Sequence, residues 1–196
     1  MQINYNIGLN NMATVNAADQ DEFNMIHKSL LKHFSNDIYA DIWKIGGNLG
    51  LRIGDLLEIK FNDMDLENRT LSIIEGKTKK PKVMRLNEVV IERISKRRKQ
   101  WPDDIYLFQS HSNRATKDQP VTSVSVGRAL KQAGEIHGLK ISTHSMRKSR
   151  GKAMFDAGVP VAKISKILNH SSEAVTLRYL GITKEEELQT YDDFVL

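Results

Sequence analysis

His144 and Arg147 stand three apart in Ser142-Thr143-His144-Ser145-Met146-Arg147-Lys148, and a second histidine, His170, follows in Leu168-Asn169-His170-Ser171-Ser172, with Tyr179 beyond it. On a helix opening at Ser142 or Thr143, positions three apart share a face, so the first histidine and the arginine can point into one pocket. A first helical turn also carries unpaired N–H groups and the positive end of the helix dipole, which favour an anion such as phosphate. The stretch therefore describes an anion site with a phenolic nucleophile within reach.

The chain that must position these groups has 196 residues, 40% of them hydrophobic and 27% charged, enough for one well-buried domain with a small appendage. It has no cysteine, which excludes a disulfide framework, thiol catalysis and cysteine-held zinc or iron–sulfur centres. The absence suits a reducing cytoplasm. No apolar run approaches the ~18 residues needed to cross a bilayer. Residues 1–18 have neither the basic start nor the apolar stretch of a leader, so neither export nor a membrane anchor is expected.

The formal charge of +5 is unevenly spread. Residues 77–99 hold ten basic residues against Glu88 and Glu92, whereas residues 184–196 hold one lysine against five acids. A basic body with an acidic tail fits a polyanionic partner, although charge alone equally fits a solvated lysine-rich face.

Apolar spacing divides the chain into elements. Residues 1–18 are polar and aperiodic and read as an arm. Phe23, Ile26, Leu30, Leu31 and Phe34 then recur at helical spacing behind acidic residues, and Ile38, Ile42 and Ile45 mark a second helix ending at Gly46-Gly47 or Gly50. A short helix is expected over 52–59. Two β-branched runs, 70–75 and 82–86, flank Gly76-Lys77-Thr78-Lys79-Lys80-Pro81 as a hairpin, and 106–108 reads as a third short strand. Helical spacing returns around Val89, Val90 and Ile94. Further helices are expected over 121–137, 143–157, 160–168 with Pro160 in the first turn, 172–180, and briefly from 183. The fold class is mainly α with a small antiparallel β-sheet, α+β, without internal repeats. The boundaries follow: an arm at 1–18, one catalytic domain at 19–183 and an acidic tail at 184–196.

In Gly50-Leu51-Arg52-Ile53-Gly54-Asp55, Arg52 and Asp55 also stand three apart, which alone reads as an ordinary ion pair. Taken in order, however, Arg52, Lys77, His144, Arg147, His170 and Tyr179 resemble the catalytic domain of the tyrosine recombinases, the phage-integrase family. The resemblance covers roughly residues 19–183. It implies that Arg52 and Arg147 grip a scissile phosphate, that Lys77 is the mobile hairpin lysine, that His144 belongs to the His-x-x-Arg box, that His170 is the second histidine, and that Tyr179 is the nucleophile. Asp55 would support the first arginine, where glutamate is more usual. Asn169 stands in place of a common glycine. Lys79, Lys80, Lys82, Lys148 and Arg150 are candidate DNA contacts, and Lys79, Lys80 and Lys82 also rival Lys77.

That chemistry calls for these residue types. Tyrosyl attack on a phosphodiester builds charge on the non-bridging oxygens, which two guanidinium forks bind more tightly as the transition state forms. With that charge supplied by arginines, no metal or other cofactor is expected. The phenol, of ordinary pKa near 10, needs a proton acceptor, for which His144 is the candidate, and the leaving 5′ oxygen needs a proton, which suits a lysine on a flexible hairpin. The 3′-phosphotyrosine conserves bond energy, so rejoining needs no ATP.

The implied partners are double-stranded DNA, further copies of the chain as a dimer or tetramer on DNA, and an accessory DNA-bending protein, all at the nucleoid. Only about fifty residues precede Arg52, so a separate N-terminal DNA-clamping domain is not expected, and the chain reads as a fragment or as a short single-domain member. Two other readings remain: a helix-turn-helix regulator over 161–180 without enzymatic activity, and a type IB topoisomerase-like enzyme that relaxes DNA without synapsis.

Overall fold

The computed structural model describes residues 16–113 and 116–182, together with 189, 192 and 193. In chain order the elements are α1 (Gln20–His33), α2 (Ile38–Leu49), α3 (Ile53–Leu57), a 3-10 turn (Phe61–Asp63), β1 (Met64–Asp65), β2 (Thr70–Ile74), β3 (Pro81–Arg85), α4 (Glu88–Gln100), α5 (Ser123–Glu135), α6 (Thr143–Asp156), α7 (Val161–Ile167) and α8 (Glu173–Leu180).

α2 is the axis of the molecule. Nine of its twelve residues are buried, and it packs against α1, α3, α4, α5 and α6. Trp43, Ile42 and Ile45 are fully enclosed, each contributing about 1.5–3 kcal/mol of burial. Of the two expected stops, Gly46-Gly47 lies inside the helix, because those glycines serve close approach. A Cβ on Gly46 would meet Met146 Sδ at 2.6 Å, and one on Gly47 would meet Phe23 Cζ at 2.3 Å. The helix ends at Gly50, whose φ of 63° is the left-handed conformation that a glycine cap supplies.

Side chains set most helix starts. Asp19 and Glu22 form a reciprocal capping box on α1, Ser142 and Ser145 do the same on α6, and Ser172 caps α8. Pro160 is the residue before α7 rather than its first, with ψ of 137°. The end of the expected arm is docked: Asn16 N donates to Lys140 O at 3.2 Å, and Ala18 N donates to Ser149 Oγ at 2.8 Å. The rest of that arm and most of the acidic tail, with its expected short helix from 183, lie outside the described residues.

The sheet is antiparallel in the order β1-β2-β3, with Ile74 opposite Pro81 and Thr70 opposite Arg85. Its third strand is β1, not 106–108. Tyr106 makes an isolated bridge to Lys60, so that apolar run buries Leu107 and Phe108 without joining the sheet. The basic run 77–99 divides in two. Its hairpin half is largely exposed, whereas Arg93, Lys96 and Arg97 on α4 pair with Asp37 and Asp41 on the α2 side.

Candidate active site

Arg147 lies in the second turn of α6, one residue after the methionine that packs on Gly46, and this contact carries it under the end of α2. There it is 2% exposed, and Nη1 donates to Gly50 O at 2.7 Å. Its Nη2 is buried without a hydrogen-bond partner among the described residues. Arg52 approaches from the other side of Gly50 as the extended residue preceding α3. Its Nη2 donates to Asn169 O at 3.2 Å, while Nη1 is buried 3.5 Å from Glu75 Oε1 and makes no hydrogen bond among the described residues. The two guanidiniums feel each other's charge: burial first, then Arg52, disfavours the charged form of Arg147. Two adjacent cations with unmet N–H groups form an anion site.

Arg52 does not pair with Asp55. The spacing argument requires both residues to be helical, and Arg52 has φ −69° and ψ 148°, outside α3. Asp55 Oδ1 instead accepts from Gly76 N at 2.7 Å, holding the root of the hairpin. The carboxylate beside Arg52 is Glu75, fully buried at the end of β2. Its Oε1 also lies 3.6 Å from Lys82 Nζ, and its Oε2 accepts from Thr78 Oγ1 at 3.0 Å and from Asn169 Nδ2. Burial alone would raise the Glu75 carboxyl, but the Asn169 and Thr78 hydrogen bonds, with the Lys82 and Arg52 charges, bring it below its ordinary value.

Tyr179, on the last turns of α8, packs among the apolar residues Met154, Ile164 and Leu168, with its hydroxyl donating to His144 O at 3.3 Å. Burial pushes its pKa up to about 12, against the pull of the adjacent Arg147 and of Arg52. The phenol is thus stored protonated. His170 sits edge-on to the Tyr179 ring, 5.0 Å between centroids, and its Nδ1 lies 3.0 Å from Thr176 Oγ1. Burial, then the charges of Arg147 and Arg52, drives its pKa down to about 4, so this imidazole is neutral. Asn169 reaches the left-handed region, φ 47°, in the turn just before it. The His144 ring is exposed, and its backbone carbonyl rather than its ring meets the phenol.

Arg52, Arg147, His170 and Tyr179 therefore converge. Lys77 stands in the exposed turn of the hairpin with Lys79 and Lys80 exposed nearby. Lys82 faces inward, donating to Ile167 O at 2.8 Å, and burial followed by the arginine charges works against its charged form more than Glu75 supports it. Lys148 Nζ lies 5.5 Å from the centre of the Tyr179 ring, and the Arg150 side chain passes beside Gly50. Glu75, Thr78 and the Gly50 carbonyl were not among the candidate site residues. The available signal for Glu75 was an acid closing an apolar strand immediately before Gly76.

The chain matches the Phage integrase family over residues 19–186. The chain belongs to the phage integrase family. It is 31% identical over 170 residues to "Probable integrase/recombinase YoeC" of Bacillus subtilis, covering 86% of this chain and 90% of that protein. It is 30% identical over 174 residues to "Tyrosine recombinase XerA" of Pyrococcus horikoshii, covering 81% of this chain but 59% of XerA. In fold it is similar to the crystal structure of XerA recombinase, with a TM-score of 0.70 at 19% identity over 91% of this chain and 64% of that one. Its mainly helical fold with a small antiparallel sheet is the one those solved structures share. Among the described residues no helix is long and apolar enough to cross a membrane.

Proposed function

We propose that the chain cuts and rejoins double-stranded DNA at specific sites through Tyr179, without metal or ATP. The observation that carries this reading is the buried Arg147 guanidinium, which acts on the Tyr179 hydroxyl, lies next to the charge of Arg52, and keeps an Nη2 without a hydrogen-bond partner of good geometry among the described residues. A phosphodiester in that position supplies the missing acceptors, and its developing charge falls where the donors are already fixed.

In the forward step the Tyr179 oxygen bonds to phosphorus, the bond to the 5′ oxygen breaks, and a 3′-phosphotyrosine forms. The phenolic proton passes to a base, and the departing 5′ oxygen gains a proton. His144, whose ring is exposed and whose carbonyl accepts from the phenol, is assigned the first transfer, and Lys77 the second, with the hairpin carrying it to the DNA. His170 orients the attacking ring and supports the phosphate as a neutral donor. Lys79, Lys80, Lys148 and Arg150 contact neighbouring phosphates. Several copies assemble on the DNA, as a dimer or tetramer, with an accessory bending protein; the similar structures include a lambda integrase dimer bound to a core site. The place of action is the nucleoid.

The test uses a duplex library with a nick in a random-sequence window. A denaturing gel is expected to show a covalent protein–DNA adduct, and sequencing the captured DNA gives the site. Tyr179→Phe is expected to lose the adduct and keep DNA binding. An adduct formed by the Phe variant would overturn the assignment. Relaxation of plasmids lacking any selected site would point to a topoisomerase instead.

A further inference from the structure

We propose that Glu75 is a positioning residue for strand cleavage, a buried carboxylate that sets the Arg52 guanidinium and ties the hairpin to the turn bearing His170. The inference rests on the recombinase reading above. Three segments distant in sequence meet on this one side chain. Arg52 comes from the entry to α3, Lys82 and Thr78 from the hairpin, and Asn169 from the turn between α7 and α8, 94 residues away. Every one of them presents a cation or a hydrogen-bond donor to a carboxylate that is 0% exposed. A second tie runs in parallel, Lys82 Nζ to Ile167 O at 2.8 Å.

An acid enclosed beside two arginines opposes binding of an anion, because its charge lowers the local positive potential. It contributes nothing to the attraction of DNA. What it provides is direction. With Glu75 holding one side of Arg52 and Asn169 O the other, the fork has a single orientation before a phosphate arrives. Asn169 Nδ2, fixed by Glu75 Oε2 and lying 3.2 Å from Thr78 Oγ1, holds the left-handed turn that places His170 against Tyr179. Hairpin lysine, arginine and tyrosine are thereby linked through one group that need not touch DNA.

This arrangement makes binding and chemistry respond in opposite directions. Glu75→Gln keeps the shape, removes the charge and turns one acceptor into a donor facing other donors. With the nicked duplex selected by the wild-type chain as probe, the variant is expected to bind as tightly or up to about threefold tighter at low salt. Its first-order rate of adduct formation at saturating protein is expected to fall about 10–100-fold. Glu75→Asp, which keeps the charge one methylene short, is expected to recover part of that rate.

Equal loss of binding and cleavage in Glu75→Gln would mark a merely structural role and overturn the proposal. So would a cleavage rate within twofold of wild type. If the Gln variant fails to melt cooperatively, Glu75→Asp decides: slower cleavage with unchanged binding supports the proposal, and an unchanged rate defeats it. A wild-type chain that forms no adduct removes the recombinase reading and this inference together, whereas a wild-type adduct matched by Glu75→Gln removes the inference alone.

Discussion

Arg147 and Tyr179 face the same site from foundations of unequal size. The arginine stands on the main core, where α2 and α6 pack through Gly46 and Met146 and one cluster of buried apolar residues draws its members from Ala18 to Met146. The tyrosine rides on a satellite of three buried residues, Met154, Ile164 and Leu168, flanked by partly buried neighbours. Buried apolar contact largely decides which segments open locally, so the proposed phosphate grip belongs to the stable body and the proposed nucleophile to a segment with less holding it. For the proposed strand exchange the division is apt. The charge-binding groups are fixed before DNA arrives, while the phenol, stored with a pKa near 12, sits on the part that can shift.

The largest effect that would sharpen this contrast comes from the fixed side. Arg147→Lys keeps the charge but loses the fork and its bond to Gly50 O, and adduct formation is expected to slow by about 10²–10³-fold while DNA is still bound. A rate near wild type would show that the grip does not depend on that geometry.

The next test compares the two foundations. Ile45→Ala in the main core is expected to lower global stability by about 2–5 kcal/mol, read as a shift of the urea midpoint. Ile164→Ala, equally enclosed but in the satellite, is expected to cost the global transition less while accelerating amide exchange across α7 and α8. Equal global losses with no selective exchange would mean that the two regions unfold as one, and the contrast would be void.

The smallest expected effect is set by pH. His170 in the site and His27 beneath α2 both have pKa values lowered to about 4, burial being the largest cause in each. A lowered histidine pKa stabilises the fold above the unfolded value of 6.5, and that contribution is lost as pH falls towards 4. Stability is therefore expected to fall as pH drops through that window, with His170→Gln removing the part felt by α8 and His27→Gln the part felt by the core. An unchanged pH profile in both variants would assign the drop to other groups.

The contrast also explains what could be read from the sequence. The frame was legible because it is written in local rules. Asp19 with Glu22, Ser142 and Ser172 announce helix starts, apolar spacing marks α1, α2 and α4, and two β-branched runs around a glycine–lysine loop mark the hairpin. Arg52, Arg147, His170 and Tyr179 were legible through their order along the chain, and the structure brings them together. The supporting groups were not. Glu75 meets Asn169 across 94 residues, a pairing that no spacing rule reaches. The Arg52–Asp55 pairing failed because it assumed a helix beginning one residue too early. β1 has only two residues, too few for an alternation to register, while 106–108 had the composition of a strand and lacked a partner beyond a single bridge.

Gly50 gives this division its sharpest point. One residue both closes α2 in a backbone conformation that side chains resist and offers the oxygen on which Arg147 rests, with Arg150 Cγ 3.2 Å from where a Cβ would stand. Replacing it would unsettle a helix terminus and a reactive group in the same stroke. Tolerance to mutation therefore ends there: a protein can drift at Glu75 by trading speed for affinity, but at Gly50 durability and turnover have a common point of failure.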